Sequence, residues 1–298
     1  KKKEKKAEEK RFFFPGEEWA YFKIYCSHAT CDELIAEVLP NLQITFETEN
    51  LEWFFIRYDD PNHHLRLRIK SADSKKIQDL LLKELDFYIQ NRLIFSVSQD
   101  TYEREIERYG SDSIENSESL FYYDSVCSTQ LLNFLKNNDA HEEIRYLMAL
   151  MSVDRLFEDF GIIYEERKKI MDDMFHAFQS EFVEIEDRNL KKDFKKSIDK
   201  KLRNHKEILQ NLLIDKDYDG SFVEINKILT DRTHSMAGVV NQLLSKFSSP
   251  IQRASWLSSF IHMNLNRIFF THARLHETVI YFLLYKTYVT HHYRKSNQ

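Results

Sequence analysis

The stretch Trp53–Lys70, WFFIRYDDPNHHLRLRIK, decides the fold of the first third of this 298-residue chain. Two runs of aromatic, aliphatic and basic residues flank Asp59–Asn62, whose Asp, Pro and Asn residues favour a tight turn. We therefore predict two β-strands joined by that turn. Because side chains alternate between the two faces of a strand, the second strand presents its leucines and isoleucine to the core. Its other face carries a basic row: His64, Arg66, Arg68 and Lys70.

The segments on either side extend this prediction to a whole layer. Residues 19–25 and 93–103 have the pattern of strands, whereas residues 30–42 and 75–90 have apolar residues at helical spacing. For the first helix we place the cap near Thr30 or Asp32 and the exit at Pro40. The resulting order is β-α-β-β-α-β.

From about Ile114 onward, apolar residues recur at spacings of three and four almost without a break. The predicted fold class is therefore α+β, with an N-terminal sheet and packed helices followed by a mostly helical C-terminal half. Residues 1–10 are predicted to be a charged linker. Residues 11–298 are predicted to form one domain with a mixed part, 11–112, and a mainly helical part, 113–298.

Composition excludes several classes of function. Five scattered glycines cannot build a GxGxxG dinucleotide loop, a P-loop or a GxSxG nucleophile elbow. The net charge of −5 does not call for direct nucleic-acid binding. Three cysteines are too few for a disulfide framework, which suits the cytoplasm. The longest apolar run, Val279–Tyr285, is too short to span a membrane, and KKKEKKAEEK at the start lacks the apolar core of a signal peptide.

The basic row admits two interpretations. Two arginines that lie two residues apart on a strand form a fixed pair, which can hold a carboxylate or a phosphate through bidentate hydrogen bonds. The same alternation also suits a half-buried strand whose charged face is simply solvated. Periodicity alone does not decide between them.

The segment Thr101–Gly110, TYEREIERYG, poses the same choice. As a helix, it places Glu105 about one turn from Arg108, where the carboxylate could orient that guanidinium. Gly110 fits a turn position that requires positive φ. The remaining charges are predicted to be ordinary surface charge: Glu103, Arg104 and Glu107.

A third candidate is SWLSSFIHMNLNRIFF, residues 255–270. On a helix, its serines, His262 and Asn266 form one polar stripe between apolar ones. Such a stripe fits a helix that faces a cleft, where His262 is either a satisfied core residue or an acid–base group. No metal site is predicted. Ala273 occupies the position of the HExxH glutamate between His272 and His276, and the Cys26–Cys31 segment lacks a second ligand cluster.

Five motifs, in this order, resemble the C-terminal glutamate-elimination domain of lantibiotic dehydratases, also called the thiopeptide-type bacteriocin biosynthesis domain. They are FFPGEEWAYFKIY, WFFIRYDDPNHHLRLRIK, YEREIERYG, ESLFYYDS and SFIHMNLNRIF. The resemblance covers roughly residues 12–288 and implies a lyase that needs no cofactor. It would expel glutamate from glutamylated Ser or Thr of a ribosomally made precursor peptide and leave dehydroalanine or dehydrobutyrine.

The resemblance also implies roles for individual residues. The essential arginine of the HLRLR motif falls on Arg66, the arginine of ERYG on Arg108, and the histidine of the HMxxNR motif on His262. Supporting or substrate-binding roles fall on four further residues: Arg68, Glu105, Asn266 and Arg267. Ser111 departs from the pattern, since a second glycine commonly follows ERYG.

Two alternatives stay open. Enzymes that form the pyridine ring of thiopeptides by a formal cycloaddition share the fold, and a non-catalytic subunit could bind a precursor peptide through the strand-rich part. The implied partners are the precursor peptide and a glutamylation domain or subunit that uses glutamyl-tRNA. A homodimer is compatible with the sequence. The implied location is the cytoplasm, where a biosynthetic complex could associate the chain with the membrane.

Overall fold

The computed structural model describes residues 9–138, 140, 142–182 and 188–296. Two compact units divide the chain. Unit 1 contains the described residues up to Phe134 together with Ser235–Trp256, and unit 2 contains Leu135–His234 and the residues from Leu257 onward. The predicted division at residues 112 and 113 stays a prediction, and most of the predicted linker lies outside the described residues. In the described part of the chain, no helix has the length and apolar character needed to cross a membrane.

Unit 1 contains two antiparallel sheets. Their strands, in chain order within the described residues, are β1 (Phe12–Phe13), β2 (Trp19–Cys26), β3 (Trp53–Tyr58), β4 (His64–Lys70), β5 (Ile94–Asp100) and β6 (Tyr102–Glu103). The larger sheet has the order β3-β4-β2-β5, and β1 pairs with β6. The predicted strand pair and the β-α-β-β-α-β order of the larger sheet are therefore present.

The helices of unit 1 follow the strands in the predicted places. They are α1 (His28–Glu33), α2 (Leu39–Thr48), α3 (Ser74–Glu84), α4 (Asp86–Gln90), α5 (Ile106–Tyr109) and most of α6 (Ile114–Asn137). A π-helical turn, Leu34–Val38, joins α1 to α2.

The boundaries of the first helix differ from the prediction. It begins at His28 because the hydroxyl of Ser27 accepts a hydrogen bond from the backbone of Thr30 at 3.1 Å. Pro40 does not end it. Pro40 lies in the first turn of α2, where a missing N–H costs no helical hydrogen bond, so the helix continues to Thr48.

The core of unit 1 lies against one face of the larger sheet. Leu65, Leu67 and Ile69 of β4 are completely buried, and they are in register with apolar residues of β2. On β3, Trp53 packs against Phe46 of α2 with ring centroids 6.1 Å apart. Burial of this face fixes the register of β4, because a shift by one residue would turn the arginines into the core. The basic row therefore occupies the opposite face.

Unit 2 is built from helices. They are α7 (Glu142–Asp159), α8 (Tyr164–Phe182), α9 (Arg188–Gln210), the first part of α10 (Ser221–Leu244), the second part of α11 (Pro250–Ile268) and α12 (Ala273–Ser296), with a π-helical turn, Asn211–Asp215, after α9. Helix α12 packs along α8, and Phe175 meets Phe282 with ring centroids 5.4 Å apart. Antiparallel sheets followed by a mostly helical C-terminal half confirm the predicted fold class.

A buried carboxylate links three helices of unit 2 and the residue that follows the π-helical turn. Asp154 of α7 is completely buried, and its Oδ1 accepts hydrogen bonds from Arg167 at 3.0 Å and from the Tyr288 hydroxyl at 2.6 Å. Its Oδ2 pairs with the ammonium group of Lys216. The low dielectric of the interior makes an unpaired carboxylate costly, so these three donors account for its place there.

Candidate functional site

A basic cavity of about 500 Å³ opens beside the polar face of the larger sheet in unit 1. Six basic and four acidic side chains line it, together with Tyr21 and Thr101: Arg11, Lys23, Arg66, Arg68, Arg104, Arg108, Asp100, Glu103, Glu105 and Glu107. Four of the residues singled out from the sequence thus meet in one place: Arg66, Arg68, Arg108 and Glu105.

The carboxylates of the cavity are occupied by neighbouring cations. Arg11 binds Glu103 at 3.0 Å and Glu107 at 2.6 Å. Lys23 pairs with Asp100, and this contact raises the pKa of Lys23 and lowers that of Asp100. All three of these carboxylates therefore already have a cationic partner.

Arg68 lies in the same cavity and has no such partner. Its guanidinium stands over the ring of Tyr21 at 4.5 Å, with Tyr102 at 5.0 Å and Phe54 at 5.3 Å. The side chain is only 8% exposed, and its Nε makes no hydrogen bond with the described residues. No carboxylate of the described residues forms an ion pair with Arg68 or Arg66. Aromatic faces stabilise a cation without neutralising it, so Arg68 retains a positive charge that an anion could satisfy.

Arg66 is held by His64, a member of the basic row for which no site role was predicted. Its Nε donates to Nε2 of His64 at 3.0 Å, and its guanidinium stacks on Tyr58 at 3.4 Å from the ring centroid. Because Nε2 accepts, Nδ1 of His64 carries the proton and donates to the carbonyl of Asn62 at 2.7 Å. Burial is the largest cause that lowers the pKa of His64, and the nearby charge of Arg66 lowers it further. A neutral His64 therefore orients Arg66.

Arg108 and Glu105 are placed as a pair, as the sequence suggested. Glu105 Oε2 lies 3.2 Å from Arg108 Nη1, and both side chains are about half exposed. Gly110 ends the short helix α5 with φ of +82°, the conformation expected for it. Arg108 is therefore the more accessible of the cavity's arginines, and its orientation depends on an exposed ion pair.

The rest of that segment agrees with one prediction and contradicts another. Tyr102–Glu103 is a strand paired with β1, as the strand pattern of residues 93–103 indicated, and the helical alternative holds only from Ile106. Arg104 is not surface charge. It is buried, and it binds Glu118 through Nε at 2.8 Å and Nη2 at 2.6 Å. Local sequence does not show that Arg104 is buried, because its partner Glu118 lies on α6 and the strand that pairs with β6 is β1, near the N-terminal end of the described residues.

Among the cavity residues that the prediction missed, Lys23 and Arg11 were missed for different reasons. Lys23 shares one face of β2 with Trp19, Tyr21 and Tyr25. A lysine in a row of aromatic residues was a signal that could have pointed to the site. Arg11 had no such signal, because its position depends on the pairing of β1 with β6.

The remaining predicted site residues lie in unit 2. His262 of α11 is 22% exposed, and its Nδ1 lies 2.8 Å from Oε2 of Glu277. Glu277 is completely buried and also accepts from the Tyr281 hydroxyl at 2.9 Å. Because the Glu277 carboxylate accepts a hydrogen bond from Nδ1, His262 favours the tautomer that carries its proton on Nδ1 and a lone pair on Nε2. Glu277 was not among the predicted site residues, because it lies on a different helix from His262.

Asn266 and Arg267 follow His262 on α11. Asn266 is half-buried, whereas Arg267 is completely buried. Burial of Arg267 fits a supporting role better than direct contact with a substrate. The roles assigned to both residues stay predictions.

A family profile described as "Lantibiotic biosynthesis dehydratase C-term" matches residues 19–288. The chain is 27% identical over 293 residues to the nisin biosynthesis protein NisB of Lactococcus lactis subsp. lactis, covering 96% of this chain and 27% of that protein. It is 28% identical over 295 residues to the subtilin biosynthesis protein SpaB of Bacillus subtilis, with coverage of 96% and 27%. The chain thus spans about a quarter of the length of these relatives.

Solved structures share the fold at low sequence identity. The tRNA-dependent lantibiotic dehydratase MibB from Microbispora sp. 107891 aligns with a TM-score of 0.66 and 19% identity, over 95% of this chain and 29% of that one. The pyridine synthase TbtD from thiomuracin biosynthesis aligns with a TM-score of 0.60 and 10% identity, over 92% of this chain and 100% of that one. These likenesses concern the fold. The profile match over most of the chain confirms the resemblance seen in the motifs, and the chain belongs to the lantibiotic biosynthesis dehydratase C-terminal family.

Proposed function

We propose that this chain is a lyase that eliminates glutamate from glutamylated Ser or Thr residues of a ribosomally made precursor peptide. The observation that carries the proposal is the cavity of unit 1, where Arg66 and Arg68 have no carboxylate partner among the described residues. A glutamyl ester carries a carboxylate and releases another when its bond breaks. Two fixed guanidinium groups suit such a substrate.

The reaction requires three events at the modified residue. A base removes the proton from Cα, the bond between Cβ and the ester oxygen breaks, and the electron pair forms the Cα–Cβ double bond. Glutamate then leaves with a new carboxylate. The product is dehydroalanine from Ser and dehydrobutyrine from Thr.

In the proposed division of labour, Arg68 and Arg66 bind the carboxylates of the glutamyl group and the charge that develops as it leaves. The family resemblance implied the essential role for Arg66 and a companion role for Arg68. The greater burial of Arg68 and its unbonded Nε support giving Arg68 at least equal weight. Arg108, oriented by Glu105, is the third anion-binding group.

His262 is proposed as the base or as a proton relay. Glu277 accepts from Nδ1, which leaves Nε2 as the proton acceptor and stabilises the imidazolium that forms. Glu277 thus acts through His262 as a positioning residue. This role resembles that of the aspartate that orients the histidine in a Ser-His-Asp catalytic triad.

The chain spans about a quarter of its curated relatives, so its partners also belong to the proposal. The precursor peptide would reach this chain after glutamylation by a separate domain or subunit, which would consume glutamyl-tRNA. The expected location is the cytoplasm, where glutamyl-tRNA is made.

The test is mass spectrometry of a glutamylated Ser/Thr peptide after incubation with this chain alone. Each glutamylated site is expected to lose the mass of one glutamate, so that the product is lighter than the unmodified peptide by one water per site. With Arg68→Met or His262→Ala, the glutamylated peptide should remain largely unconverted. For His262→Ala, the elimination rate should be lower by about 10²–10⁴-fold. Arg203→Met is the matched control, since Arg203 is exposed and does not line the cavity.

The fold likeness to TbtD keeps pyridine formation as a second candidate. Incubation with a peptide that contains two dehydroalanines separates the two. Conversion of that peptide to a ring product, with the glutamylated peptide untouched, would replace the lyase proposal by the cycloaddition. Binding of both peptides without any conversion would favour a non-catalytic peptide-binding subunit.

A further inference from the structure

Two histidines and an aspartate cluster where three elements of unit 1 meet. His28 is the first residue of α1, Asp59 directly follows β3, and His63 directly precedes β4. A nitrogen of each histidine and a carboxylate oxygen of Asp59 all lie within 4.8 Å of one another. In the described part of the chain, this is the one group of at least three potential metal ligands with that spacing. It does not line the basic cavity.

The distances are short enough for one small ion. Nδ1 of His63 lies 2.6 Å from Oδ1 of Asp59, and Nε2 of His28 lies 3.8 Å from the same oxygen. The two imidazole rings contact each other, with centroids 3.8 Å apart. Ligands that hold Zn²⁺ at about 2.0–2.2 Å in a tetrahedron stand about 3.4 Å from one another. A modest shift of the Asp59 side chain, which is 70% exposed, would reach that spacing.

The candidate ligand atoms are the nitrogens nearest Asp59, Nδ1 of His63 and Nε2 of His28. The other ring nitrogen of each histidine makes no hydrogen bond with the described residues, so no protein contact competes for it. The side chain of His63 is only 9% exposed, and its Nε2 has no hydrogen-bond partner among the described residues. The same holds for the buried Nδ1 of His28. Arg57, the cation on β3 nearest in sequence to Asp59, is paired with Asp32 at 2.6 Å. Its charge is therefore compensated.

We propose that His28, Asp59 and His63 bind one Zn²⁺ ion, with water in the fourth position. Two imidazoles and a carboxylate are a donor set that Zn²⁺ accepts, and three protein ligands leave an open coordination position. The ion would connect the beginning of α1 to the end of β3 and the beginning of β4. None of this depends on the lyase activity, because the ligands lie outside the cavity.

Metal binding by the intact, chelator-treated chain tests this proposal. Titration with Zn²⁺ against a chromophoric competitor should show one tight equivalent. His28→Ala and Asp59→Asn should each weaken it by at least tenfold, and both positions are exposed enough to be changed without loss of the fold. His176→Ala is the matched control, since His176 is an exposed histidine 3.5 Å from Asp172 and should leave the tight equivalent intact.

A second measurement uses stability in place of binding. Zn²⁺ should raise the melting temperature of the parent chain and of His176→Ala, because a ligand that binds only the folded state stabilises it. It should not raise that of His28→Ala or Asp59→Asn. Absence of a tight equivalent in the parent, or its persistence in both ligand variants, would overturn the proposal.

Discussion

Two buried charges, Asp154 of unit 2 and Arg68 of unit 1, are accommodated in opposite ways. In unit 2, Asp154 is completely buried and receives hydrogen bonds or ion pairs from Arg167, Lys216 and Tyr288. In unit 1, Arg68 is almost as buried, yet its neighbours are three aromatic rings. A satisfied buried charge supports the fold, whereas a buried cation without an anion is costly unless a ligand supplies one. The difference separates a structural network from a candidate anion site.

The largest expected effect comes from breaking the satisfied network. Asp154→Ala leaves Arg167 and Lys216 without their shared carboxylate, so we expect a loss of about 3–5 kcal/mol in the free energy of unfolding. Urea denaturation of both proteins measures it. Asp173→Ala, on an exposed face of α8, is the matched control and should change the free energy by less than about 0.5 kcal/mol. A loss below about 1 kcal/mol for Asp154→Ala would show that the network is not structural.

The second effect concerns function in place of stability. Arg68→Met removes a buried cation and keeps much of its volume, so the free energy of unfolding should fall by less than about 1 kcal/mol or rise. The rate of glutamate elimination should fall by about 10²–10³-fold, as for loss of one electrostatic donor. Unfolding and single-turnover elimination are measured on the same preparation, beside Arg203→Met. If Arg68→Met were strongly destabilised and its elimination rate unchanged, Arg68 would be a structural charge and not an anion-binding one.

A smaller effect is expected at the accessible edge of the cavity. Glu105 and Arg108 form an exposed pair 3.2 Å apart, so Glu105→Gln should alter the free energy of unfolding by less than about 1 kcal/mol. If Glu105 orients Arg108, the elimination rate should fall by a factor smaller than for Arg68→Met. Glu103→Gln tests a neighbouring carboxylate that pairs with Arg11. Equal rates for Glu105→Gln and the parent would remove the orienting role.

The smallest effect is a dependence on pH. The contact with Lys23 lowers the pKa of Asp100 in the folded chain below its unfolded value of about 3.9. Its contribution to stability is therefore present above pH of about 4 and is lost as the pH falls through the lower, folded pKa. Asp100→Asn should reduce the acid sensitivity of unfolding in that window alone. An identical pH profile for parent and variant would contradict the expectation.

The alternation of β4 and the helical C-terminal half could both be predicted from the order of the amino acids. Both follow from local periodicity, which burial of one face then enforces. The pairing of Glu105 with Arg108 and the positive φ of Gly110 could be predicted in the same way, because these depend on spacing along a few residues. The order of the five motifs also indicated the family.

The environment of each charged side chain, in contrast, depends on long-range packing. Arg104 resembles its exposed neighbours in sequence, but Glu118 of α6 draws it into the interior. Arg66 and Arg68 lie on the same face of β4, yet aromatic rings surround Arg68 whereas His64 accepts a hydrogen bond from Arg66. Whether a charge is solvated, satisfied or left for a ligand depends on partners distant in sequence. Periodicity fixes the face on which a side chain lies, whereas long-range packing fixes what it meets there.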